Sequence, residues 1–222
     1  MNLHFRSLAV LVVAMLAPIL SAADAPATRF EKEIAAQEAL DKKSPPPEGA
    51  ILFTGASGIR MWKTLDQDFS EYKVFNRAFG GSMISDCIYF MDRNVLPYKP
   101  KQIVIQAGGN DINGGKTPET VAADFKTYVE KVREKLPDCR ISFLNLNPSP
   151  SRWAQFEKQT KANALIKAWI ATQKNIDYID IVDALLGTDG KPREELYVAD
   201  KLHPSAEGYK IRTAAVKPFL MK

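Results

Sequence analysis

Short apolar runs alternate with longer segments of mixed apolar and charged residues along most of this chain. The runs are Ala50–Thr54, Lys73–Ala78, Gln102–Ala107, Arg140–Leu146 and Ile176–Val182. All are of strand length and rich in Ile, Val, Leu and Phe, the composition of strands buried on both faces. Between them, Ser57–Leu65, Ser82–Asn94, Thr117–Leu136 and Ala154–Gln173 carry helical spacing, and Pro118 suits a first helical turn. Residues 183–200 read as a long loop, and Pro204 opens a terminal helix over Ser205–Leu220. Five strands alternating with helices, without an internal repeat, predict an α/β fold. The expected architecture is a three-layer α/β/α sandwich with a five-stranded parallel sheet, doubly wound and flavodoxin-like.

The chain ahead of this pattern reads differently. Arg6 precedes an apolar run, Leu8–Leu20, and Ser21-Ala22-Ala23 follows as a small-residue cleavage site. Residues 1–23 therefore read as a secretory signal peptide, which implies a periplasmic or secreted protein. The run is too short for a membrane span, and no cysteine follows it to carry a lipid, so no stable membrane anchor is expected. Arg29–Lys43 then reads as a charged helix packed on the domain surface, with Phe30, Ile34, Ala35 and Leu40 at helical spacing. Ser44-Pro45-Pro46-Pro47 breaks it. Residues 24–48 are thus an N-terminal helix with a Pro-rich linker, and 49–222 one domain.

Composition narrows the chemistry. With 45% hydrophobic and 25% charged residues the chain is globular rather than disordered. The net charge of +4 loses one unit with Arg6, and no Lys/Arg cluster stands out, so nucleic acid is not an expected partner. Cys87 and Cys139 are the two cysteines, in a compartment that permits a disulfide, but Cys87 falls at a helical core position. Of the 2 histidines, His4 leaves with the signal, so His203 must serve any imidazole chemistry. A His-based metal cluster is excluded, and neither metal nor organic cofactor is expected.

Doubly wound sheets bind ligands at the carboxyl ends of their strands. There the sequence places Gly55-Ala56-Ser57-Gly58, Phe79-Gly80-Gly81-Ser82, Gly108-Gly109-Asn110-Asp111, Asn147–Trp153 and Asp200–Pro204. This collection fits acyl transfer through an activated serine. A serine hydroxyl needs a base, for which His203 is available, and Asp200 three residues earlier can orient the imidazole. Gly81 and Asn110 supply a backbone N–H and a side-chain amide for an oxyanion. Taken singly, Ser57 could be a helix cap, Gly80 a turn residue and Asp111 a structural carboxylate. Arg60 and Trp62 read as packing or pairing residues, while Ser151, Arg152 and Trp153 are candidates for substrate contact on a rim loop.

Ser57 in GASGIR, Gly81 in NRAFGGS, Asn110 in GGND and Asp200/His203 in DKLHP resemble the four sequence blocks of the SGNH hydrolases, the GDSL esterase/lipase family. The similarity is greatest to the branch of platelet-activating-factor acetylhydrolase subunits and bacterial carbohydrate acetylesterases. It implies Ser57 as nucleophile, His203 as base, Asp200 as its orienter, and an oxyanion hole from the Ser57 and Gly81 N–H groups and Asn110. It further implies a small-molecule or carbohydrate ester substrate, O-acetyl sugars first, then lysophospholipid, aryl or thioester acyl groups. One departure is Ala56, where the family has the Asp of its GDSL signature. A binding module that keeps the fold without turnover is the rival class.

Overall fold

A computed structural model describes residues 26–222. The expected signal peptide lies outside the described residues. The first helix, α1 (Pro26–Asp41), leads through the proline turn to β1 (Ile51–Gly55). There follow α2 (Ser57–Arg60), α3 (Leu65–Asp68), β2 (Val74–Asn76), α4 (Ile84–Tyr89), α5 (Met91–Asn94) and β3 (Gln102–Gln106). The second half runs α6 (Gly109–Asn113), α7 (Pro118–Lys135), β4 (Arg140–Leu144), α8 (Phe156–Ile170), β5 (Ile176–Ile179), α9 (Val182–Leu185) and α10 (Ala206–Val216).

The five strands form one parallel sheet in the order β2-β1-β3-β4-β5, the expected doubly wound arrangement. Strand alternation sends successive side chains to opposite faces. Leu52, Ile103, Ile105, Ile141 and Phe143 pack with residues of α1, α4, α7 and α8 on one face. Ile51, Phe53, Val104, Leu144 and Ile179 pack with residues of α2, α3, α9 and α10 on the other. Both layers are closed, which is why the strands carry apolar residues on both faces.

α1 is bound tightly to this body. Phe30 and Ile34 are buried in the first core, where Phe30 meets Phe79 and Phe90 edge-on. Glu31 and Glu38 both pair with Arg93, Asp41 with Arg77, and Glu33 with Arg60. Cys87 and Cys139 are separate buried thiols rather than a disulfide, and burial pushes each up to about 12. No helix among the described residues is long and apolar enough to cross a membrane.

Several boundaries differ from the sequence pattern. The helix expected over Ser57–Leu65 breaks after Arg60, and that over Ser82–Asn94 divides at Phe90. Gly109–Asn113, which reads as loop, is helical, and the expected loop 183–200 contains most of α9 and a 3₁₀ turn at Glu194–Leu196.

Candidate active site

The carboxyl end of β1 is shaped by Gly55, whose φ of +114° is open to glycine but not to L side chains. A Cβ there would lie 2.1 Å from the Gln106 carbonyl oxygen on β3. Without one, β1 and β3 stay paired to their last residues, and the Ala56 N–H donates to the Gln106 oxygen at 2.9 Å. α2 begins immediately afterwards. Ala56 is its N-cap and makes no side-chain bond, so Ser57 is the first helical residue and not the cap. Its N–H belongs to the first turn and has no carbonyl one turn earlier to bond.

Ser57 meets the single described histidine across the sheet rim. His203 Nε2 lies 2.8 Å from Ser57 Oγ, and His203 Nδ1 lies 2.6 Å from Asp200 Oδ2. The other Asp200 oxygen accepts the N–H groups of Leu202 and His203, each at 2.9 Å. These bonds, the imidazole first, hold the Asp200 carboxyl down at about 2. The loop is fixed in turn: the Val198 N–H donates to the His203 carbonyl, and Ser205 caps α10 through the Gly208 N–H. An Asp-bound Nδ1 leaves Nε2 to accept a proton from the serine.

The remaining rim residues lie at the neighbouring strand ends. The Phe79 N–H and Ser82 hydroxyl both donate to the Gly55 carbonyl, drawing the turn after β2 against β1. Within that turn Gly81 has φ +80°, and its N–H finds no acceptor among the described residues. Asn110 sits in the first turn of α6, behind Gly108, where a Cβ would press on Val121 and Leu146. Its Nδ2 donates to the Ser82 carbonyl at 3.0 Å, and its Oδ1 accepts from Arg152 at 3.0 Å. Asp111 is structural, as expected. It is fully buried, accepts from the Ile84 N–H and pairs with Lys116 at 2.9 Å.

A cavity of about 80 Å³ opens between these groups, with Ser57, Asn110, Arg152, Gln159, His203 and Arg212 in its wall. Four of the sequence candidates do not line it: Gly81, Asp200, which stands behind His203, Ser151 and Trp153. Ser151 is exposed and uses its N–H on the Lys201 carbonyl, and Trp153 stacks on Phe156 at 4.8 Å. The 3₁₀ turn Pro150–Gln155 swings both outward, and Arg152 between them is the residue that enters the cavity. Arg60 and Trp62 are occupied structurally, by Glu33 and by Asp68 with the second core. Gln159 and Arg212 went unnoticed in the sequence. Arg212 is 3% exposed and bonds the side chains of Gln106 and Asn147, an arginine inside an apolar helix face being the one signal it offers. No cluster of three His, Cys, Asp or Glu side chains suited to a metal occurs among the described residues.

A hydroxyl, an imidazole and a carboxylate in series at the rim of a doubly wound sheet is an arrangement suited to ester hydrolysis through an activated serine. The sequence model of the GDSL-like lipase/acylhydrolase family matches residues 50–211, and the chain belongs to that family. It is a carboxylic ester hydrolase. Among curated proteins it is 28% identical over 195 residues to bovine platelet-activating factor acetylhydrolase IB subunit alpha1, covering 82% of this chain and 78% of the relative. A GDSL-like lipase from Bacteroides thetaiotaomicron shares the fold with a TM-score of 0.68 and 21% identity, over 86% of this chain and 95% of that one. A variant of an acetyl-xylooligosaccharide esterase from Geobacillus superposes with a TM-score of 0.61 at 14% identity, over 79% and 96% of the two chains.

Proposed function

We propose that this protein hydrolyses small carboxylic esters, O-acetyl esters above all, through an acyl-enzyme on Ser57, and does so outside the cytoplasm. The observation that carries the reading is the continuous chain from Asp200 Oδ2 through His203 to Ser57 Oγ, with bonds of 2.6 and 2.8 Å. In the first step Ser57 Oγ attacks the ester carbonyl carbon while its proton passes to His203 Nε2. The carbonyl oxygen becomes an oxyanion held by the Ser57 and Gly81 N–H groups and the Asn110 amide. As the C–O bond breaks, His203 returns the proton to the departing alkoxide, which leaves as the alcohol. Water then attacks the acyl-enzyme, giving its proton to His203, and the carboxylic acid departs as Ser57 recovers its hydrogen. Asp200 holds the imidazole in the required tautomer and balances its transient charge.

Support for a small acyl group comes from the cavity, whose volume of about 80 Å³ is well below the roughly 300–1,000 Å³ of drug-sized ligand pockets. Relatives named for acetyl-ester hydrolysis point the same way. The signal-like pattern of residues 1–23 supports the location. A series of 4-nitrophenyl esters of increasing acyl length tests the proposal. The acetate should turn over fastest, with Ser57→Ala abolishing release of nitrophenol. A preference for long acyl chains would overturn the acetyl assignment.

A further inference from the structure

Arg152 holds a position that the triad and the oxyanion donors do not account for. We propose that it is the positioning residue of the oxyanion hole, fixing and polarising the Asn110 amide. This rests on the esterase reading above.

The argument begins with what an amide can do. Asn110 has one acceptor oxygen and two N–H bonds on Nδ2. The oxygen takes a bond from Arg152 at 3.0 Å, and one N–H goes to the Ser82 carbonyl at 3.0 Å. One N–H is left, its direction set by the other two bonds. A flipped amide would set Nδ2 against the guanidinium and Oδ1 against the Ser82 oxygen, donor on donor and acceptor on acceptor. Arg152 therefore excludes the orientation in which Asn110 could not serve an oxyanion. A guanidinium on Oδ1 also draws electron density toward the oxygen, which makes the remaining N–H more acidic and a stronger donor.

The surroundings of Arg152 fit this role better than a structural one. It is half-buried in the cavity wall, and no carboxylate pairs with it among the described residues. Arg77, Arg93 and Arg140 each have an acidic partner. Burial without a counter-ion lowers the Arg152 pKa, a cost that simple anchoring of the loop would not require. Anchoring is already supplied by the Ser151 N–H on the Lys201 carbonyl and by Gln155 on Asn113 at 2.7 Å. These same bonds hold the Pro150–Gln155 turn between the histidine loop and α6, with Arg152 directed at Asn110. An arginine that bound substrate directly would leave its mark on KM; one acting through Asn110 marks kcat.

The test is a double-mutant cycle on 4-nitrophenyl acetate with Arg152→Gln, Asn110→Ala and the double variant, together with the side-chain amide resonances of Asn110 in asparagine-labelled protein. Arg152→Gln should lower kcat by about 10- to 100-fold with KM changed less than about threefold, a smaller loss than deletion of the donor itself. In the Asn110→Ala background the same substitution should cost less than about twofold. Guanidinium chloride at sub-denaturing concentration should restore part of the activity of Arg152→Ala. The Asn110 amide pair should be well dispersed in the unmutated protein and collapse toward free-asparagine positions in Arg152→Gln. Equal losses in both backgrounds, or an effect on KM alone, would overturn the proposal. The resonance measurement requires no turnover: unmoved Asn110 signals refute the positioning role, whereas absent hydrolysis by the unmutated protein refutes the esterase reading instead.

Discussion

Gly55→Ala is a one-methyl change that should damage both stability and catalysis. The new Cβ would stand 2.1 Å from the Gln106 carbonyl oxygen and 2.6 Å from its carbon, both backbone atoms of the neighbouring strand. A flexible side chain could turn aside; β3 cannot move without disturbing its ladder to β4. The φ of +114° adds strain of about 1–3 kcal/mol for any L side chain. Relief of the clash separates the ends of β1 and β3, which removes the Ala56 N–H bond to Gln106 and the Phe79 N–H bond to Gly55. At about 0.5–1.5 kcal/mol for each bond, the total destabilisation should be about 2–6 kcal/mol. Ser57 follows two residues later, so a displacement of about 1 Å should lower kcat on the order of a hundredfold in whatever protein remains folded. Gly49→Ala is the control, because φ is +62° there but nothing lies within 4 Å of the added carbon; it should cost only about 1–2 kcal/mol. Urea unfolding gives the stabilities and 4-nitrophenyl acetate the rates. A Gly55→Ala protein within about 1 kcal/mol of the parent and equally active would refute the reasoning.

Four further outcomes follow from the site and core. Asn110→Ala should reduce kcat by about 10²–10³-fold. Asp200→Asn should cost less than the roughly 10⁴-fold typical of a buried triad acid, because this carboxylate is 47% exposed and water can partly replace it; steady-state kinetics on folded variants checks both. With its carboxyl held down at about 2, Asp200 stays ionised through the neutral and mildly acidic range. His203 must be neutral to accept the serine proton, so log kcat/KM should rise with pH at unit slope to a plateau, and a slope of two would contradict it. Phe30→Ala, which empties a buried site against Phe79 and Phe90, should destabilise the protein by about 3–5 kcal/mol in urea unfolding.

Much of this geometry was legible in the residue pattern because parallel strands buried on both faces leave a strong apolar signal. Polar clusters at their ends must then lie on one rim. Gln102–Gln106 and its neighbours could be read in this way, and Ser57, Gly81, Asn110, Asp200 and His203 do come to that rim. What escaped depended on short-range packing. Gly109–Asn113 looks like a turn because it opens on the pair Gly108-Gly109, yet it docks against α7 and α8 as a helix. The 3₁₀ turn that points Ser151 and Trp153 away from the cavity and Arg152 into it is set by bonds to Lys201 and Asn113, residues distant in sequence. Arg212 was hidden for a similar reason, since its amide partners Gln106 and Asn147 belong to other elements.

The central claim, that Ser57 is the nucleophile, is tested most directly by intact-mass analysis and peptide mapping after treatment with a fluorophosphonate. One adduct per chain is expected, located on the peptide containing Ser57, with labelling lost in Ser57→Ala and strongly slowed in His203→Ala. An adduct on another serine, or hydrolysis that survives Ser57→Ala unchanged, would contradict the account.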